Sequence, residues 1–115
     1  MMKVYELHGF GLGNLRLAER PVPAPGPGEA LIRMRAATLN PRDLGVIDGF
    51  YFPDLSFPVV PVSDGVGEIV ALGPGVGRFR VGDRVAGMFA QGWINGDPPI
   101  DWHTRSLGAP LDGVL

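Results

Sequence analysis

The residues whose types and spacing could do chemistry lie in two short runs. One is Ser63-Asp64, a polar pair set inside an apolar approach, with PVVPV before it and GVGEIVAL after it. A carboxylate beside a hydroxyl can accept or relay a proton. The same two residue types also close turns by bonding to backbone, and Ser63-Asp64 reads first as such a turn pair. The second run is Asn40-Pro41-Arg42-Asp43, followed by LGVIDG. Asn is a preferred helix N-cap, Pro fits the first helical position, and Asp43 at the third is the acidic half of a capping box. Cap and ligand readings of Asn40 are compatible, and both stay open. His8 and His103 stand alone, without a second ligand at metal-binding spacing, and are given no role. Gly9, Gly11 and Gly13 in GFGLGN superficially suggest a dinucleotide fingerprint. The third glycine is misplaced, and LRLAERPVPAPGPG cannot form the helix that must follow. A glycine-rich hairpin loop between Leu7 and Leu15 accounts for them.

The elements that must position these residues are mostly strands. Met2 to Leu7 reads as a first strand and Leu15 to Glu19 as its return. Pro21 to Gly28, PVPAPGPG, is a proline-stiffened connector. Glu29 to Ala37 alternates, with Ile32, Met34 and Ala36 on one face and Arg33 and Arg35 on the other. A helix of about two turns starts at Asn40, with Leu44 and Ile47 facing the core and Gly49 ending it. Phe50-Tyr51-Phe52-Pro53 and Phe57-Pro58 form an aromatic, proline-bent loop.

Phe57 to Gly87 is then expected to curl into a small sheet. Val66, Ile69, Val70 and Leu72 make one strand, and Gly73-Pro74-Gly75 with Gly77 make the turn. Phe79, Val81 and Val85 resume the extended pattern, broken by a second turn at Gly82-Asp83. Gln91 to Leu111 is loop-like, with Trp93 and Trp102 as anchors. Asp112 to Leu115 begins a strand that would be left unpaired.

A chain of 115 residues is one domain by length, and 45% hydrophobic residues can fill a small core. Glycine at 18 and proline at 12 fall between regular apolar runs, which makes them turns rather than low-complexity sequence. The net charge of −2 comes without any basic block, which argues against a nucleic-acid partner. No apolar run is long enough for a membrane span, and MMKVYELHGF reads as a strand rather than a signal peptide. A cytoplasmic location is the default expectation. With no cysteine, disulfides and thiolate metal sites are excluded.

Three blocks, AATLNPRDLGVIDG, FPVVPVSDGVGEIVALGPGVGRFRVGDRVAG and the tail GAPLDGVL, together resemble a known family. They are similar to the N-terminal, GroES-like domain of the medium-chain dehydrogenase/reductase superfamily, which includes zinc alcohol dehydrogenases and zinc-free quinone and enoyl reductases. The resemblance covers essentially the whole chain. It rests on Gly65, Gly67, Gly73 and the Gly82-Asp83-Arg84-Val85 turn. It implies a mostly β fold, a GroES-like partly open β-barrel with one or two short helices. It also implies that residues 1–115 stop before the final strands and before a nucleotide-binding Rossmann domain. Such a piece alone is expected neither to bind NAD(P)H tightly nor to turn over.

By the same resemblance, zinc members carry a cysteine ligand where Asn40 stands and a Gly-His-Glu run where Val62-Ser63-Asp64 stands. Arg42 takes the place of their Ser or Thr proton relay, and the four-cysteine lobe is replaced by Gly92 to Ser106. Asn40 and Ser63 are poor zinc ligands, and Asp64 alone could not hold the ion. The expectation is therefore a zinc-free, quinone-reductase-like member using NAD(P)H, with no metal. Without a Lewis acid, hydride transfer suits a small-molecule substrate that is already activated, a quinone or an α,β-unsaturated carbonyl. The resemblance sets Asn40 and Tyr51 as catalytic residues, Asn40 and Asp43 toward the cofactor, and Tyr51, Ser63 and Asp64 in the substrate cleft. It further implies a homodimer for the full-length form. An alcohol dehydrogenase of the same superfamily, or a stand-alone GroES-like binding module without redox activity, is the alternative.

Overall fold

Alternation along MKVYEL turns Val4 and Glu6 inward while Lys3 and Tyr5 face out, the period of a half-buried strand. The computed structural model, which describes residues 1–115, makes this strand β1 (Met2–Leu7). It pairs antiparallel with β2 (Leu15–Arg20), Leu7 opposite Leu15 and Met2 opposite Arg20, through a 3-10 turn at Leu12–Asn14. The remaining strands form a second antiparallel sheet of β3 (Ala30–Thr38), β4 (Asp64–Leu72) and β5 (Arg84–Ala86), in the order β3-β4-β5. One helix, α1 (Pro41–Ile47), joins β3 to the long approach into β4. The fold is mostly β, with open sheets as in a partial GroES-like barrel.

Two register shifts, at Leu31/Ile32 and Met34/Ala36, bend β3 against β4. Gly67 lies opposite Met34 in this bend, where a Cβ would come within 2.3 Å of the Arg33 carbonyl oxygen. Only glycine allows the two backbones to approach so closely. The core gathers Leu7, Ile47 and Val59, flanked by Leu15, Leu55 and Phe57. Leu7 and Val59 exchange both backbone hydrogen bonds, at 2.8 and 3.2 Å, so the approach to β4 is tied directly to β1.

Several sequence-based expectations are corrected here. Phe57 to Gly87 does not curl into a sheet of its own; β4 takes β3 as its main partner, and β5 is three residues long. Phe79 and Val81 lie outside any strand. Asp83 accepts the Arg80 N–H at 2.9 Å and closes a turn through Gly82, whose φ of 97° suits glycine. On α1 the buried side chains are Asp43, Val46 and Ile47, while Leu44 is exposed, because the inward face is set by the hydrogen bonds of Asp43. Asp112 to Leu115 is not an unpaired edge. Gly113, Val114 and Leu115 donate to the carbonyls of Val60, Val62 and Pro61, and Leu115 accepts from the Tyr5 N–H.

Candidate functional site

The site is built where α1 begins and β4 begins. Asn40 is extended, with φ −123°, and caps α1. Its backbone N–H donates to Asp43 Oδ2 at 2.7 Å, the acidic half of the capping box. The other Asp43 oxygen accepts the Ser63 N–H at 3.3 Å. Asp43 is buried, and both its oxygens hold backbone, one on each side of the junction. The Asn40 side chain is then free to reach across, and its Nδ2 donates to Asp64 Oδ2 at 2.7 Å. Ser63-Asp64 is therefore not a turn pair bonding to backbone. Asp64 opens β4 opposite Thr38, and its carboxylate takes the amide of Asn40.

Asn40, Asp43, Ser63 and Asp64 are thus brought together. Tyr51 sits apart, on the loop after α1, half exposed and packed on Gly45, where a Cβ would come within 2.4 Å of its ring. Phe50 meets it edge to face with centroids 5.1 Å apart. The Tyr51 hydroxyl makes no hydrogen bond within the chain, which leaves the phenol available as a donor. Immediately before Ser63, Val62 is fully buried with φ 75°, a left-handed backbone rarely taken by a β-branched residue.

One residue of the site was read from sequence only as a lost proton relay. Arg42 donates to Leu107 O at 3.1 Å, Ser106 Oγ at 3.1 Å and Ala109 O at 2.9 Å. Its guanidinium lies 5.9 Å from the Phe52 ring and 5.2 Å from the Phe89 ring. Burial makes it easier to deprotonate than an ordinary arginine, opposed by the nearby Asp43, Tyr51 and Asp64. Its acceptors lie more than 60 residues away in the chain, so no local spacing announces them.

These donors do not fit a zinc ion. Asn40 aims an N–H at Asp64, Ser63 offers only a hydroxyl, and no cluster of three His, Cys, Asp or Glu side chains stands close enough to bind metal. A cavity of about 810 Å³ lies elsewhere, between the β1–β2 pair and the face of β3 and β4. Val4, Leu31, Met34, Val70 and Val114 line it, and none of Asn40, Tyr51, Ser63 or Asp64 does. No helix is long and apolar enough to cross a membrane.

Comparison with known proteins agrees with this architecture. Residues 26–110 match the alcohol dehydrogenase GroES-like domain. The chain is 42% identical over 112 residues to a zinc-type alcohol dehydrogenase-like protein of Schizosaccharomyces pombe, covering 96% of this chain and 32% of that protein. It is 40% identical over 86 residues to a chloroplastic quinone-oxidoreductase of Triphysaria versicolor, covering 73% of this chain and 26% of that one. The crystal structure of an NAD-dependent alcohol dehydrogenase superimposes with a TM-score of 0.80 at 32% identity, over 97% of this chain and 35% of the other. The chain thus spans about a third or less of the length of these relatives.

Proposed function

Since the chain belongs to the alcohol dehydrogenase GroES-like domain family, we propose that it forms the substrate-cleft part of a zinc-independent, NAD(P)H-dependent oxidoreductase acting on quinones or α,β-unsaturated carbonyls. The observation that carries this reading is the Asn40–Asp64 hydrogen bond. Where zinc relatives would place ligands, this chain places an amide donor and its acceptor, a pair suited to holding a neutral polar substrate or cofactor group rather than a metal. A bound nicotinamide supplies the hydride. Asp64 fixes the plane of the Asn40 amide, whose second N–H is then aimed by that bond and available to a substrate or cofactor oxygen. Tyr51, with an unpaired hydroxyl on an exposed loop, donates to a carbonyl oxygen as negative charge develops there. Asp43 acts on this chemistry only through Asn40, by holding its backbone. A homodimeric form and a cytoplasmic location accompany this proposal.

The test uses the full-length protein that carries this chain. Metal content is measured alongside NADPH and NADH oxidation with a quinone, an enone and a simple aldehyde, and alcohol oxidation in the reverse direction. Quinone or enone reduction that survives chelation supports the proposal. Stoichiometric zinc with activity confined to alcohols and simple carbonyls would overturn it. That outcome would favour the second reading, an alcohol dehydrogenase, to which the names of the yeast relative and the superimposed structure point.

A further inference from the structure

We infer that Arg42 is a positioning residue: its guanidinium clamps the 106–110 turn onto the start of α1 and through that turn holds Ser63 and Asp64 against Asn40. The inference rests on the site proposed above, and on four observations beyond it.

Arg42 makes no ion pair, so its charge is not committed to a carboxylate. Three of its hydrogen bonds instead go to one turn, at Ser106 Oγ, Leu107 O and Ala109 O. A planar fork that meets several acceptors, with the Phe52 and Phe89 ring centroids at 5.9 and 5.2 Å, is a geometry lysine cannot reproduce. The turn it grips is itself buried and internally bonded. Ser106 and Ala109 are fully buried, and Ser106 Oγ donates to the Ala109 carbonyl at 2.8 Å.

The turn passes this order on in two directions. Toward the site, Gly108 lies against the Val62-Ser63 backbone, where an added Cβ would be 2.8 Å from the Ser63 nitrogen. A shift of the turn must therefore move the residues that lead into Asp64. Away from the site, Leu107 N–H donates to Phe89 O at 2.8 Å and Gln91 N–H to Arg105 O at 2.9 Å. The segment between these bonds carries Trp93 and Trp102, whose ring centroids are 6.1 Å apart. Both tryptophans of the chain lie in this lobe, so its order can be read by their emission.

The experiment compares Arg42→Met, Arg42→Lys and Ser106→Ala in the full-length protein that carries this chain, with readouts that need no turnover. Acrylamide quenching follows the tryptophans, with those outside residues 1–115 replaced by phenylalanine. The side-chain amide NMR signal of Asn40, assigned by its loss in Asn40→Ala, follows the bond to Asp64. Arg42→Met is expected to raise quenching about twofold and to move the Asn40 amide signal, while backbone amides of β1 and β2 keep their positions. Arg42→Lys should recover less than half of each change. Ser106→Ala, which removes one acceptor of Arg42 together with the Ser106–Ala109 bond inside the turn, should give a change of the same sign. If Arg42→Met unfolds β1 and β2 as well, Arg42→Lys, which keeps the charge and loses the fork, decides alone. Unchanged quenching and an unmoved Asn40 signal in the folded variant would overturn the inference. Because none of these signals depends on the substrate, failure of the quinone or enone assay leaves them independent. Conversely, an active enzyme whose Asn40 signal ignores Arg42 would overturn this inference alone.

Discussion

A single side-chain hydrogen bond restricts the Asn40 amide, which cannot point freely once Asp64 holds one of its hydrogens. A group whose effect depends on its partner's hold gives non-additive losses when both are removed. Asn40→Ala in the full-length protein is expected, on the proposed reaction, to lower kcat/KM for an enone by about 100- to 1000-fold, as for loss of one oriented donor. Asp64→Ala should cost a similar factor, and the double variant should be no worse than the poorer single one. Steady-state kinetics on the four proteins of the cycle provide the check; losses that simply multiply would show that the two residues act separately. Asp43 belongs to the same scale but is read by stability. Its two oxygens hold the Asn40 and Ser63 N–H groups in a buried setting, so Asp43→Asn leaves a donor facing a donor. A loss of about 1–3 kcal/mol in urea unfolding is expected; a change near zero would mean that the two bonds are not both held in solution.

At the level of elements, what could be read from sequence depended on how local the determining interaction is. β1, the body of β3 and the capped start of α1 follow from alternation and from Asn40-Pro41 and Asp43, all within a few residues of one another. β5 is shorter than the apolar Phe79 and Val81 suggest because the Asp83–Arg80 contact, a side-chain bond to backbone, ends the approach at Gly82. Leu44 faces solvent because an acid, Asp43, and not an aliphatic residue, leads the buried face of the helix. The Asn40–Asp64 bond spans 24 positions, and the grip of Arg42 on the 106–110 turn spans more, so neither leaves a periodic trace. Val62 is the element-scale case where side chain and backbone disagree. Its left-handed φ of 75° costs a non-glycine residue about 1–2 kcal/mol, while its burial returns about 1.5–3 kcal/mol. Val62→Ala keeps the strain and loses the packing, whereas Val62→Gly loses the packing and the strain together. Glycine is therefore expected to be as stable as alanine here, or more so, against its usual deficit of about 0.5–1 kcal/mol in a strand or helix. Thermal unfolding of the two variants tests this, and a clear advantage for alanine would mean that the backbone at Val62 is relaxed.

Across the whole molecule, the first hairpin and the last residues are joined by a charged network rather than by strand pairing alone. Arg20, at the end of β2, donates through Nε to Glu6 on β1 and through Nη1 to Asp112 Oδ2 at 2.6 Å. Asp112 Oδ1 in turn accepts the Val60 N–H at 2.8 Å, and His8 Nε2 lies 2.9 Å from the other Glu6 oxygen. The Arg20 hydrogen bond is the main reason that Glu6 sits below its ordinary value of 4.5; burial pushes the other way and loses. A depressed folded-state pKa stabilises the fold fully above 4.5, because the unfolded Glu6 is then also ionised and the native bond is intact. As the pH falls below that value the unfolded chain takes up the proton first, so stability declines until the folded Glu6 is protonated as well. Glu68 is lowered in the same direction by Arg35, but both partners of that pair are well exposed and salt screens them. Urea midpoints measured below and above pH 4.5 should therefore show an acid decline that Glu6→Gln flattens and Glu68→Gln changes less, most clearly at high salt. If Glu6→Gln left the decline as steep as in the parent, the Glu6–Arg20 pair across the hairpin would contribute nothing to the acid stability of the fold.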